Sequence, residues 1–479
     1  MKRYIAILLF VVALPMAVVA QVRTSYFMEG STFRTDMNPA LAPTRGYINF
    51  PLLGGVSLGV NNNFLSIENM LYPTDKGLVT FLNSAVDRND FLKRLPRNNA
   101  LEINVSEQLF GFGAHTKRFF WSAGANVRIN ADMNIPKEFF SLVTTLGQGS
   151  YDMKGMNLGA NAYLEAYVGA AIPVKEIATI GFRVKGLFGV ASSSMKISNM
   201  VVDVNDEYVS ANLRGQMQVS GPMFNSLPVG EPVDFESMIL SDPTQLLDFS
   251  SGRFNNGGMA VDLGAEVRLL EDNLRLSAAV TDLGFLCWNK NSTVVGRMGG
   301  AIRYEGVDFD SGDANMSNEP LEFVGAAVDK GVVSRLNCSL NIGAEYAILR
   351  NRISFGVLSH TKFCQTFNYS ELTASVNFKP LNWITATVSH TFLNKNQPGV
   401  FGFALNLHPT GFNLFLGADF IDLKYAKSTM GNGMNMLLPI RQRSFNLNMG
   451  LGFSLGRAKY SKAYKDDLAA GRIKSKNKK

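Results

Sequence analysis

One pattern limits this chain more than any other. In residues 119–132, FFWSAGANVRINAD, the odd positions Phe119, Trp121, Ala123, Ala125, Val127, Ile129 and Ala131 are apolar. From Ser122 onward the even positions Gly124, Asn126, Arg128, Asn130 and Asp132 are small, polar or charged. Successive side chains of a strand point to opposite faces, so this stretch has one oily face and one wet face. It is also long enough to cross a bilayer at a tilt. The same alternation recurs along the 479 residues, ending with Phe445, Leu447, Met449, Leu451, Phe453 and Leu455 against polar or glycine neighbours.

Fourteen stretches carry it: 54–64, 101–114, 119–132, 153–172, 180–202, 257–269, 274–284, 335–349, 352–362, 369–378, 383–392, 399–408, 412–421 and 443–456. An even number returns the chain to the side it started from. The connections sort the same way. Those near 116–118, 173–179, 270–273, 350–351, 379–382 and 409–411 are short, and alternate strictly with long or middling ones. The expected fold class is therefore all-β: a single antiparallel transmembrane β-barrel over 47–456, with turns on the periplasmic side and long loops outside. Strand-like pieces at 208–219 and 297–309 lie inside long excursions; counting both gives sixteen strands, an equally even number. Residues 136–146 carry helix-spaced Phe139, Leu142, Val143 and Leu146 and predict a short helix in an outer loop.

The termini read separately. Residues 1–20 have Lys2 and Arg3, an apolar run, and Val18-Val19-Ala20 before Gln21, the pattern of a signal peptide cleaved near Ala20. Export of a chain whose apolar segments follow the β period points to the bacterial outer membrane. The net charge of +7 resides in the tail 457–479, with nine Lys or Arg and two Asp. The body is neutral, so nucleic acid is not an expected partner. The basic tail is expected in the periplasm as a disordered, solubilising end, the alternative being contact with anionic lipid or a periplasmic protein.

Catalytic and metal signatures are sparse. Gly55-Val56-Ser57-Leu58-Gly59 matches a nucleophile-elbow pattern but sits mid-strand, not at a strand–turn–helix junction. The four histidines have no metal spacing, and the acidic run 305–322 lacks the order of a calcium loop. Cys287, Cys338 and Cys364 form no framework, although 287 and 364 fall on one side and leave a bridge open. No cofactor and no enzymatic activity are expected. The aromatics Phe119, Phe120, Trp121, Tyr151, Trp383 and Phe412 lie at strand ends, where membrane girdles sit.

The inward face carries Arg128, Glu165, Arg183, Lys185, Asp262, Glu266, Arg268, Arg275, Arg335, Glu345, Arg352 and Glu371. Such mixed charge lines an aqueous path or ties a plug to the wall. Wall side chains alone do not fill a fourteen-strand barrel, and the aperiodic segment 21–46 is the piece available to occupy it.

That segment, with Asn38-Pro39-Ala40, resembles the N-terminal hatch of the FadL-like superfamily of long-chain fatty acid transporters. MNPALAP (37–43), YINFPLLGGVSLGV (47–60), LSAAVTDLGFLCW (276–288) and SFGVLSH (354–360) are closer to an uncharacterised outer-membrane family of the Bacteroidetes. The resemblance implies Asn38, Pro39 and Ala40 as hatch residues. It also implies a sideways exit for hydrophobic solutes, for which Pro51, Gly54 and Gly55 are the candidate wall break. The expected function is passive uptake of a small apolar or amphipathic solute through a plugged lumen. The rival is a non-transporting scaffold that docks secreted, surface or periplasmic proteins through its loops or tail.

Overall fold

The computed structural model describes residues 23–51, 53–74, 77–83, 86–145, 148–175, 177–224, 255–307, 314–393, 399–421, 425–429, 435–439 and 444–456. The leader 1–20 and the tail 457–479 lie outside the described residues, as do the side chains of the acidic run.

Fourteen antiparallel strands close into a barrel. β1 is in two halves, Gly46–Asn49 and Val56–Asn62. β2 is Asn98–His115, β3 Phe120–Pro136, β4 Asn157–Val174 and β5 Ala178–Val204. β6 is Gly257–Leu269, β7 Leu274–Trp288, β8 Cys338–Ile348, β9 Ile353–Phe363 and β10 Asn368–Leu381. β11 is Ile384–Phe392, β12 Val400–Leu407, β13 Asn413–Ile421 and β14 Ser444–Leu455. Each pairs with the next, and both halves of β1 pair with β14 on one side and β2 on the other. Closure removes every wall edge, so the backbone polar groups of the wall are paired without water.

Alternation then sorts the faces. Val168, Val184, Leu263, Ile342 and Val388 are exposed outward, while Asn126, Glu165, Lys185, Asp262 and Asn341 are buried inward. The strand-like pieces at 208–219 and 297–309 do form strands, Val209–Ser220 and Thr293–Val307, but not wall. Val209–Ser220 pairs with the outer half of β5, Thr293–Val307 pairs with Val209–Ser220, and Ala314–Ala327 adds to Thr293–Val307. With 27 residues, β5 runs roughly 90 Å against a hydrocarbon core of about 30 Å, so this sheet stands outside the barrel proper. The wall count is fourteen. The loop helix is Lys137–Thr145; it packs with the helix Arg88–Arg94 around Phe64, Phe91 and Phe140.

Two expectations are corrected, those for Phe120 and for Arg335 and Arg352. Phe120 points inward against Tyr47 and is buried, because its parity is that of the polar face; Phe119, Trp383 and Phe412 are exposed at the turn-side ends. The cysteines are free, Cys364 buried and Cys287 exposed, so no bridge joins them. Arg335 and Arg352 do not line the lumen. Arg335 belongs to a separate strand, Val332–Arg335, and Leu336 and Asn337 after it are both buried, which breaks the alternation. Its guanidinium donates to the Cys364 carbonyl at 2.5 Å, at the outer rim. Arg352 closes the turn before β9 and is exposed.

Candidate functional site

The aperiodic N-terminal segment lies inside the barrel and is buried along most of 23–45. It is tied to the wall at several heights. Arg23 meets Glu371 at 2.5 Å, and its backbone N–H donates to Asp419 at 2.8 Å. Glu29 receives Arg275, with Lys379 at 3.5 Å; both cations also approach Glu345, at 3.6 Å each. Asp36 takes Arg183 at 2.7 Å. Asn341 donates to the Met37 carbonyl at 2.8 Å. Tyr26, Phe27, Met37 and Leu41 make a small apolar core with Leu358 of β9.

Asn38, Pro39 and Ala40 form the tightest contact. The Asn38 carboxamide accepts from the Ala40 N–H at 2.9 Å and donates to the Tyr26 hydroxyl at 3.2 Å. This turn rests on two glycines, Gly181 of β5 and Gly264 of β6, which face each other across the strand pair. A Cβ on Gly181 would stand 2.1 Å from the Ala40 nitrogen, and one on Gly264 would stand 2.1 Å from Asn38 Oδ1. At Gly181 the hatch backbone approaches the wall so closely that a side chain does not fit without moving it, whereas at Gly264 the close atoms belong to side chains.

Beside the hatch, the wall charges form one network. Lys185 meets Asp282 at 2.5 Å, Asp262 at 2.9 Å and Glu165 at 3.7 Å. Arg128 reaches Glu165 at 3.4 Å, and Arg183 lies 3.9 Å from Asp262. Buried ions persist only when paired, so the network holds three cations against four carboxylates once Asp36 of the hatch is included. Glu266 is buried and pairs with half-exposed Arg268 at 2.6 Å, near the turn side. Sequence reasoning missed Asp282, whose parity in 274–284 is outward. A bulge opposite Asp262 places both Thr281 and Asp282 toward the lumen, with φ +59° at Asp282. The signal was present: apolar residues occupy even positions up to Val280 and odd ones from Leu283, a phase flip that requires an extra residue.

The candidate break is a real interruption of the wall. Residues 50–55 stand between the halves of β1, opposite two residues of β14 and three of β2. Toward β14 the backbone stays bonded: Phe50 N–H donates to Leu451 at 3.1 Å, and Leu451 N–H to Leu53 at 2.8 Å. Toward β2 the described residues keep one backbone bond across the interruption, from Gln108 N–H to Gly55 at 2.8 Å. β2 itself slips register there, between Gln108 and Phe110. Pro51 is exposed; Gly54 and Gly55 are buried. The Gln108 side chain fills the opening. It accepts from Asn49 at 2.5 Å and donates to the Tyr167 hydroxyl at 3.4 Å, over a Gly111 that leaves it room. Behind it sits Phe33 of the hatch, packed on Phe415.

Three cavities follow one another down the inner face of β1 and β2. An outer vestibule of about 360 Å³ contains Asn61 and Tyr369. It shares those two residues with a cavity of about 40 Å³. That one shares Ser57, Ser106, Arg128 and Met37 with a third, of about 20 Å³, which reaches Asn49, Gly55 and Gln108 at the interruption. The lower two hold little more than a water each. The lining is mostly amide, hydroxyl and paired charge, with Phe33, Met37, Val105, Phe367 and Leu393 among it. Among the described residues no group of His, Cys, Asp and Glu could hold a metal. His360 is bonded to Asn341 at 2.7 Å, and His115 pairs with the Pro43 carbonyl at 2.7 Å.

A family model described as a family of unknown function (DUF5723) matches residues 39–419. No curated protein matches the chain. Among solved structures it is similar to the P. putida toluene transporter TodX, at 10% identity over 90% of this chain and 95% of that one, with TM-score 0.38. The Ralstonia pickettii toluene transporter TbuX is 8% identical over 92% and 100%, with TM-score 0.40. A Pseudomonas aeruginosa FadL homologue is 10% identical over 91% and 98%, with TM-score 0.22. Likenesses this loose carry no inference about what the protein does.

Proposed function

The chain belongs to the DUF5723 family, whose function is unknown, and on that premise we propose from its own geometry that it is a non-enzymatic outer-membrane barrel admitting a small amphipathic solute. The solute enters at the outer vestibule and leaves sideways at residues 50–55. The observation that carries this reading is the line of cavities along β1 and β2, which ends at the wall interruption. An exposed apolar band around a polar interior places the barrel in lipid. An amphipathic solute suits the route better than a purely apolar one, because its lining is polar while Phe33 and the surrounding lipid offer an apolar end. Opening at the wall moves one long side chain, Gln108, while passage through the two lower cavities also requires the side chains around Ser57, Ser106 and Arg128 to part.

The test is flux of hexanesulfonate, an amphiphile that crosses lipid slowly unaided, from proteoliposomes. Gln108→Ala is expected to raise efflux several-fold above wild type, with Tyr167→Phe raising it less. If Gln108→Ala vesicles leak no faster than protein-free ones, the lateral route is wrong. The scaffold reading draws on a different observation, the sheet that extends β5 outside the barrel. It predicts unchanged flux in every variant, and a surface protein crosslinked to 209–220.

A further inference from the structure

The vestibule has a chemistry of its own. From its geometry we infer that it binds a neutral, hydroxyl-rich head group of about monosaccharide size, such as a glycosyl ring. The inference deepens the transport reading and rests on it for the ligand's onward route.

Size comes first. About 360 Å³ lies at the lower end of small-molecule pockets and suits one ring better than a peptide or an acyl chain. Charge comes second. Glu371, the charged residue of the lining, is held by Arg23 of the hatch at 2.5 Å, so the pocket offers neither a spare cation nor a spare anion among the described residues. What remains is dominated by carboxamides, including Asn61, Asn98 and Asn368. A carboxamide both donates and accepts, as does a hydroxyl, so the two groups satisfy one another without net charge.

The third feature is an unmet acceptor. Asn61 is 8% exposed, and its nitrogen donates to Glu102 and to the Tyr369 hydroxyl, each at 3.2 Å. Its Oδ1 is buried with no partner among the described residues, in a side chain that lines the vestibule. Buried polar atoms are nearly always bonded, so this oxygen is available to a ligand hydroxyl. The fourth is an aromatic face. The Phe367 and Tyr369 rings lie 6.0 Å apart and 30° from parallel. Tyr369 is fixed through its hydroxyl, which donates to Glu102 at 2.7 Å, so the face is held before any ligand arrives. The C–H faces of a sugar ring pack on such a surface while its hydroxyls reach the amides. The floor residues Asn61 and Tyr369 also line the next cavity, with Arg23. A bound head group therefore touches the ion pair that anchors the start of the hatch.

The experiment is saturation-transfer NMR on the full barrel in a sugar-free amine-oxide detergent, with butyl glucoside as probe and hexanesulfonate as the charged comparison. Expected are saturation of the ring protons of the glucoside and a weaker or absent signal from the sulfonate. Phe367→Ala should weaken glucoside binding roughly two- to tenfold. Asn98→Ala, on the exposed rim, guards against a misfolded Phe367 variant and should also weaken it. Absence of glucoside saturation at 20 mM in wild type, a stronger signal from the sulfonate, or equal binding by both variants and wild type would overturn the assignment. The two readings fail separately. Sulfonate efflux without glucoside binding removes the head-group site and leaves the route. Glucoside binding that Phe367→Ala weakens, without efflux from any variant, keeps the site and removes the route.

Discussion

Gly181→Ala should lift the hatch off the wall without breaking the barrel. The added Cβ would stand 2.1 Å from the Ala40 nitrogen and 2.2 Å from the Pro39 carbonyl carbon. Ordinary contacts of this kind are near 3.5 Å, so the hatch backbone must retreat by about 1.4 Å, the difference of 3.5 and 2.1. No rotamer relieves the clash, because both atoms belong to the backbone. Gly264→Ala meets Asn38 Oδ1 at 2.1 Å, with Asn38 Cγ and Pro39 Cδ at 3.0 Å, and these are side-chain atoms: the Asn38 carboxamide can turn away at the loss of its 2.9 Å bond from Ala40 N–H. Overpacking of a tight site costs about 1–3 kcal/mol, which lowers hatch occupancy roughly 5- to 150-fold. The assay is maleimide labelling of Thr32→Cys, buried in the docked hatch, in a background with Cys287, Cys338 and Cys364 replaced by Ser. Labelling follows the population of the open form, so its rate should rise by that factor for Gly181→Ala and less for Gly264→Ala. The folded barrel should keep its heat-modifiable mobility in both. A Gly181→Ala protein that labels at the wild-type rate would refute the argument that the glycine pair exists to seat the Asn38–Pro39–Ala40 turn.

The remaining predictions use the same contacts. Burial would raise the Glu29 carboxyl, but Arg275 and Lys379 outweigh it and hold it well below the usual carboxylate range. Its docking contribution is therefore complete above the free-carboxylate value of about 4.3 and is lost as pH falls through the depressed one. Thr32→Cys labelling, divided by the rate of a free thiol at the same pH to remove the falling thiolate fraction, should rise only in strong acid, and Glu29→Gln should reduce that dependence; a rise beginning near neutrality would contradict it. Lys185→Met leaves Asp262 and Asp282 without their shared cation and should destabilise the barrel by about 3–5 kcal/mol in urea unfolding from vesicles. A negligible change would mean that water, not Lys185, satisfies those carboxylates. Val184→Arg, outward on β5 and 55% exposed, should cost about 2–4 kcal/mol in lipid if it faces the bilayer centre, and nearly nothing if that face meets water.

The wall was legible because alternation is a local property. Each of the fourteen stretches announces its own two faces, and the short and long connections set their direction. Where the reading failed, a local rule had been carried past its end. Arg335 was assigned by the phase of β8, but two consecutive buried residues, Leu336 and Asn337, separate it from that strand. Asp282 is not among the inward residues read from the sequence because a bulge changes the phase within one strand. The hatch has no period, so Glu29, Asp36 and Arg23 could not be matched to Arg275, Arg183 and Glu371. Those pairings span 147 to 348 positions and become visible only when the barrel closes.

The pairings also determine what kind of opening is feasible. Withdrawing the whole hatch would strand Glu29, Asp36 and Arg23, leave Glu371 without its cation, and leave Arg275 and Arg183 only the longer contacts to Glu345 at 3.6 Å and Asp262 at 3.9 Å, at up to several kcal/mol for each pair lost. Moving Gln108 breaks two neutral side-chain bonds, to Asn49 and Tyr167, each contributing about 1 kcal/mol. The smaller cost lies at the wall and the larger at the plug. On the proposed route the barrel would open first beside the hatch, at residues 50–55, and keep the ionic core that holds the hatch in place. The order of the variants follows from that difference: changes at Gln108 should alter flux while hatch labelling stays at the wild-type rate, and changes at Gly181 should alter both.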